Sequence, residues 1–201
     1  MSEPDTDAMW DPHVYRTIIR TEIPAYDELQ QQVVEATVGM SPRLILDLGV
    51  GAGETAGRIL RMHSQARLVG IDSSAEMLVG AAEVLPPDRV TLIQEDLKAP
   101  LPEQSFDLVI SALAIHHLQG EGKARLFRKI RERLAPGGTF VLGDVVIPDD
   151  PADAVINNEP GYDFPSTIED QLRWMKDAGF LSETVWVQKD LAVIKSEQAA
   201  T

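Results

Sequence analysis

The sequence predicts an α/β fold: a doubly wound, mostly parallel sheet with helices on both faces. Three observations predict it. Short apolar runs alternate with stretches of helical spacing from residue 43 to residue 145, the pattern of βαβ units. The first run ends in Asp47-Leu48-Gly49-Val50-Gly51-Ala52-Gly53, a turn nearly free of side chains that lets a ligand lie on bare backbone at a helix N-terminus. Polar groups then recur at the ends of the following strands, where open parallel sheets bind ligands.

Residues 1–12 are polar and acidic and read as loose. From Pro12 to Val38 the apolar positions Val14, Ile18, Ile19, Leu29, Val33 and Val34 recur at helical spacing. Ile23-Pro24 divides this stretch into two helices, because proline lacks an N–H and pushes the residue before it out of the helical region. Gly39 to Pro42 links to a strand at 43–48, whose Ile45, Leu46 and Leu48 suit burial on both faces. There follow a helix near 53–62, a strand at 67–71, a helix near 74–84 and a strand at 89–93. A loop with Pro100 and Pro102 leads to a strand at 106–111 and a helix near 121–134. Pro136-Gly137-Gly138 then turns into a strand at 139–145. Right-handed crossovers make this arrangement doubly wound.

The proline-rich stretch from Ile147 to Pro165 reads as an excursion over the sheet's edge, a lid or substrate wall. A helix follows at 166–178, with Ser166 and Glu169 as a capping box and Gly179 as its stop. Residues 183–188 and 191–196, joined by Lys189-Asp190, form an antiparallel hairpin and bring the sheet to seven strands. A single domain, 1–201, is the simplest organisation, with a helical lid at 1–41 and a core at 42–196.

Composition narrows the function. At 44% hydrophobic and 25% charged, the 201 residues suit one globular domain. The net charge of −14 repels phosphate backbones and anionic membranes, so neither nucleic acid nor membrane is an expected partner. The basic cluster from Lys123 to Arg133 reads as a solvated helix face. With no cysteine there is no disulfide, thiolate metal ligand or thiol nucleophile. No apolar run approaches the roughly 20 residues that span a bilayer, and Met1 to Pro12 lacks the basic and apolar regions of a secretory signal. Cytoplasm is the default location, and a monomer or homodimer the expected state.

The strand ends point to a ligand. Asp72 follows Gly51 by 21 residues and ends the second strand, where an acid can hold both hydroxyls of a ribose. Asp96, past the third strand, can accept from an exocyclic amine such as that of adenine. Ribose and amino-purine together describe an adenosyl ligand. Gly51 to Ala56 also fits the G-x-G-x-x-G/A pattern of dinucleotide enzymes. Asp47 and Glu54, however, bracket the turn with negative charge, which suits an ammonium or sulfonium better than a pyrophosphate.

Ile45 to Gly53 resembles motif I of the class I S-adenosylmethionine-dependent methyltransferases, and Val69 to Leu78 their second motif. Gln94-Glu95-Asp96 with Leu101-Pro102, and Ser105 to Val109, resemble the third and fourth; Leu134 to Gly138 resembles the turn before strand five. The resemblance covers about residues 40–195 and points to the small-molecule branch; Val50 stands where Cys or Thr is commoner. It implies a Rossmann-like fold with S-adenosyl-L-methionine as cofactor. Asp47, Gly49, Gly51 and Gly53 would lie at the methionyl part, and Asp72 at the ribose. Asp96 and the Leu97 amide would read adenine, Ser73 and Met77 would flank the adenosine, and backbone at Ser111 and Ala112 would face the amino-acid end. Of the N-terminal Trp10, Tyr15, Arg20 and Tyr26, the candidates to meet the methionyl carboxylate are Tyr15 and Arg20. Simple packing for Tyr15 and a surface charge for Arg20 are the alternatives.

Methyl transfer rests on in-line alignment, with a base where a hydroxyl must lose its proton. His116 and His117 follow strand four, and Asp144 ends the neighbouring strand five, so a His–Asp pair can form at the cleft. The pair resembles the arrangement in natural-product O-methyltransferases. Alternatively, one histidine only caps the next helix or bounds the cofactor pocket. No metal is expected, because adjacent histidines point apart in most backbones and no i, i+4 partner supports them. Strand four leads into Ser111-Ala112-Leu113-Ala114, without the Asn/Asp-Pro-Pro-Tyr/Trp signature of amino-methylating nucleic-acid enzymes. A small-molecule acceptor follows, with oxygen the first choice before nitrogen or carbon. Two other readings stay open: a different reaction on the same cofactor, such as carboxymethyl-cofactor synthesis with Arg20 at the methyl pocket, or a non-catalytic cofactor-binding subunit.

Overall fold

The computed structural model describes residues 11–199; Trp10 and most of the acidic N-terminal stretch lie outside them. Two helices open the chain, α1 (Pro12–Glu22) and α2 (Tyr26–Glu35), divided at Pro24. The alternating part then runs β1 (Leu44–Leu48), α3 (Glu54–Met62), β2 (Arg67–Asp72), α4 (Ala75–Val84), β3 (Val90–Gln94), β4 (Phe106–Ala112), α5 (Gly120–Arg133) and β5 (Leu134–Ile147). After a long excursion come β6 (Ser166–Thr167), α6 (Ile168–Asp177), β7 (Phe180–Gln188) and β8 (Leu191–Gln198).

The main sheet has the order β3-β2-β1-β4-β5-β8-β7, seven strands of which β8 is antiparallel to both neighbours. The two-residue β6, beyond the seven expected, pairs in parallel with the end of β5. The order reverses between β1 and β4, which puts the switch point at the carboxyl end of β1. Successive side chains of a strand face opposite ways, and both faces are covered. Ile45, Ile110 and Val141 pack under α1, α2 and α3 through Ile19, Leu29, Val33 and Ile59. Leu46, Leu48, Val109 and Phe140 pack under α5 and α6 through Phe127, Ile130 and Met175. Gly143 of β5 admits α2, since a Cβ there would lie 2.5 Å from Val33.

Four local expectations are corrected. β5 begins at Leu134, five residues early; Pro136-Gly137-Gly138 lies within its span, where the β4–β5 register shifts between Phe106 and Leu108. β7 likewise starts at Phe180. The cap of α6 is Thr167, whose Oγ1 accepts from the Asp170 amide at 3.1 Å; Ser166 Oγ instead accepts from Lys123 Nζ at 2.8 Å. The basic face of α5 is not wholly solvated. Lys123 is buried and also donates to the Phe164 carbonyl, while Lys129 donates to the carbonyls of Leu97, Lys98 and Ala99. Burial pushes both amines down. Among the described residues no helix is long and apolar enough to cross a membrane.

Candidate active site

The glycine turn at the switch point adopts conformations other residues avoid, with φ of +77° at Gly49, +50° at Gly51 and +86° at Gly53. A Cβ at Gly49 would collide with Ala114 Cβ at 2.2 Å, whereas one at Gly51 would meet nothing within 4 Å. The turn therefore packs on one side and opens on the other. Asp72 fastens it: Oδ2 accepts from the Gly51 amide (2.8 Å) and Oδ1 from the Ser74 amide (2.9 Å). Burial raises the Asp72 pKa against the pull of these N–H groups and of the Ser73 amide, and the carboxylate keeps some acceptor capacity. Asp47 lies buried under the turn with neither carboxylate oxygen hydrogen-bonded. Burial, and then the nearby Asp72, push its pKa up to about 8.

The turn opens into a cavity of about 530 Å³, within the 300–1,000 Å³ range usual for small-ligand sites. Tyr15, Gly49, Gly51, Asp72, Ser73, Met77, Asp96, Leu97 and Ala112 all line it, as does His117. Residues from four strand ends and from α1 thus converge on one space.

Other predicted residues do not line the cavity. Gly53 is the N-cap of α3, and Ser111 is buried with its hydroxyl tied to the Leu48 carbonyl at 2.7 Å. Arg20 pairs with Asp27 (2.9 Å) and approaches Glu54 (3.6 Å) at the surface. Arg20 is therefore not the arginine that the carboxymethyl alternative expected at the methyl pocket. Arg16, one turn earlier, takes the inner place: it lines the cavity and donates to the carbonyls of Ala52 (3.0 Å) and Gly80 (2.8 Å). Tyr15 is itself half-buried, its hydroxyl pushed up to about 12 by burial and then by Asp72.

Beyond Ala112 the chain bends sharply, with Leu113 at φ +55°, an uncommon conformation for a branched side chain. A one-turn 3₁₀ helix, Ile115–His117, follows. His116 Nδ1 meets Asp144 Oδ1 at 2.6 Å, both groups buried, so the expected pair across β4 and β5 forms. The histidines do not point apart. Their rings lie 4.1 Å apart and both face Asp163, at 3.7 Å from His116 Nε2 and 3.0 Å from His117 Nδ1. Burial, then the adjacent His116, holds the His117 pKa below its ordinary value, against Asp144 and Asp163. Asp163 and Tyr162, whose ring is 4.5 Å from His117, come from the excursion at 147–165 and were missed. Their only signal was an aromatic–acid pair inside a stretch read as a substrate wall. The segment is tied down by the Phe164 amide donating to the His116 carbonyl (2.8 Å) and by Lys123.

Residues 45–138 match a family model described as a methyltransferase domain. The chain is 33% identical over 117 residues to a trans-aconitate 2-methyltransferase of Azoarcus sp. (strain BH72), covering 58% of this chain and 45% of that one. It is 31% identical over 144 residues to an uncharacterized methyltransferase of Bacillus cytotoxicus, covering 70% and 66%. The chain belongs to the class I S-adenosylmethionine-dependent methyltransferases. The chain spans about half the length of the trans-aconitate 2-methyltransferases it matches. Its fold is that of human N-acetylserotonin methyltransferase solved in complex with SAM, with a TM-score of 0.69 at 19% identity over 85% of this chain and 52% of that one. The family's cofactor, S-adenosyl-L-methionine, fits the residues present: the cavity offers the open side of Gly51, an acid at each of two neighbouring strand ends, and a buried unpartnered carboxyl beneath the turn.

Proposed function

We propose that this protein transfers a methyl group from S-adenosyl-L-methionine to an oxygen of a small-molecule acceptor. The observation that carries this reading is that His117 opens into the same cavity as the glycine turn, with Asp163, His116 and Asp144 linked behind it. When bound, the cofactor supplies an electrophilic methyl: the acceptor oxygen's lone pair forms the new C–O bond as the C–S pair returns to sulfur.

The chain's residues bind, orient and promote loss of the proton. Asp72 takes the ribose hydroxyls on its remaining lone pairs, and Asp96 with the Leu97 amide takes the adenine edge. Ser73 and Met77 flank the adenosine, while the turn from Gly49 to Gly53 and the backbone at Ala112 face the methionyl end. Ser111 acts from behind, by holding β4 to β1 through Leu48. Tyr15 and Arg16 close the cavity from α1, in place of Tyr15 and Arg20. The acceptor enters beside Tyr162, and its hydroxyl proton is lost at the histidine–aspartate cluster. Proton removal by a positioned group contributes about 10²–10⁴-fold.

The Azoarcus relative is named for trans-aconitate. For an anionic acceptor of that kind, this cluster offers Asp163 beside two imidazoles, which favours a neutral hydroxyl compound instead. Release of S-adenosylhomocysteine across a panel of neutral and anionic acceptors tests the reading. Turnover with a hydroxyl compound, falling at least about 100-fold in His117→Ala at saturation, supports it. Turnover confined to amines, or near-normal rates in both His116→Ala and His117→Ala, overturns it.

A further inference from the structure

The cluster at the acceptor end has the form of a metal site. His116 Nε2 and His117 Nδ1 approach one oxygen, Asp163 Oδ1, at 3.7 and 3.0 Å, and the three ligand-capable atoms lie within 4.8 Å of one another. Two ligand atoms bound at about 2.1 Å and separated by about 90–120° at the metal lie about 3.0–3.6 Å apart. The His117 distance to Asp163 falls in that range and the His116 distance lies at its upper edge. His117 Nδ1 is buried and lacks an aligned hydrogen bond despite its short distance to the carboxylate.

The outer contacts agree. A ligating histidine characteristically gives its other ring N–H to a carboxylate, and His116 Nδ1 meets the buried Asp144 at 2.6 Å. A ligating carboxylate is itself hydrogen-bonded, and Asp163 Oδ2 accepts from the Glu159 amide at 2.7 Å, leaving Oδ1 to the histidines. The Phe164 amide and Lys123 fix the segment that delivers Asp163.

We infer that His116, His117 and Asp163 bind a divalent first-row transition metal whose open positions face the cavity and take the acceptor oxygen. Two imidazoles and one carboxylate suit such ions and leave coordination positions free. A hydroxyl bound there loses its proton near neutral pH because the ion stabilises the oxyanion. The proton goes to water and the oxygen keeps the electron pair it gives to the methyl carbon. The inference rests on the methyl-transfer reading and specifies how the cluster acidifies the acceptor.

The test uses full-length, chelator-treated protein titrated with Co(II), read by visible absorption and by electron–nuclear spectroscopy for imidazole nitrogen. The expected result is one Co(II) per chain with nitrogen coupling. Affinity should fall by about 100-fold or more in His117→Gln and Asp163→Asn, and by about 10–100-fold in Asp144→Asn. The wild-type spectrum needs no variant and stands if one fails to fold. Binding without nitrogen coupling, or equally tight in Asp163→Asn, overturns the inference. The same samples are titrated with S-adenosylmethionine. Cofactor binding without a nitrogen-ligated metal overturns the metal site alone; absence of cofactor binding overturns the reading beneath it.

Discussion

The substitution Asp47→Asn should make the protein more stable at pH 8 and leave it nearly unchanged at pH 4. The carboxyl is buried, neither oxygen has a partner, and its pKa is about 8 in the fold against an ordinary value of 3.8. A raised folded pKa means that the native state holds a proton the unfolded chain has released. Its stabilising effect is complete below about pH 4 and is lost as pH rises through about 8. Each pH unit in that window costs about 1.4 kcal/mol, so about 4 kcal/mol is lost between pH 5 and pH 8. The asparagine amide has the same shape as the carboxyl and does not titrate, so the comparison isolates Asp47 together with its coupling to Asp72. Urea unfolding of both proteins at pH 5, 6.5 and 8, without cofactor, measures the difference. The wild type should lose about 4 kcal/mol relative to the variant across that range. Parallel pH profiles would refute the reasoning. A cationic ligand in the cavity should also draw the proton off Asp47. Cofactor binding at pH 7 should then release a proton, read as a buffer-dependent heat absent in the variant.

The two sides of the glycine turn should separate in the laboratory. Gly49→Ala meets Ala114 at 2.2 Å and takes a positive φ, so it should lower stability by at least the 1–2 kcal/mol of the left-handed conformation, about doubled by the clash. Gly51→Ala meets no protein atom; chemical denaturation should show a loss of about 1 kcal/mol, while titration should show markedly weaker cofactor binding. Lys123→Met keeps the stem but leaves the Phe164 carbonyl and Ser166 hydroxyl without their donor. A loss of about 1–3 kcal/mol is expected, with a raised KM for the acceptor and unchanged cofactor affinity by calorimetry.

Legibility in the sequence followed how local each signal is. The strands and the turn were readable because an apolar run buried on both faces and a row of glycines at positive φ are short-range features. The His116–Asp144 pair was readable because β4 and β5 are neighbours in any sheet of this type. Arg20 and Arg16 are not separable from sequence alone, which does not say which side of α1 faces inward; packing of Pro12 and Arg16 against Gly80 decides that. Asp163 was invisible for a similar reason. It reaches His117 only because the excursion folds back across the 3₁₀ turn and is pinned there by the His116 carbonyl and Lys123. The same return brings both histidines onto one carboxylate, against the rule that adjacent side chains diverge. Ser166 lost its role as helix cap because the buried lysine claimed its hydroxyl.

The central claim is that the cavity beside the Gly49–Gly53 turn binds S-adenosyl-L-methionine through Asp72. Calorimetric titration of the purified chain with the cofactor tests it most directly. The structure predicts saturable binding at one site per chain, lost or at least about tenfold weaker in Asp72→Ala, as removal of a charge-assisted pair of hydrogen bonds requires. No heat at high micromolar cofactor, or equal affinity in the variant, would contradict it.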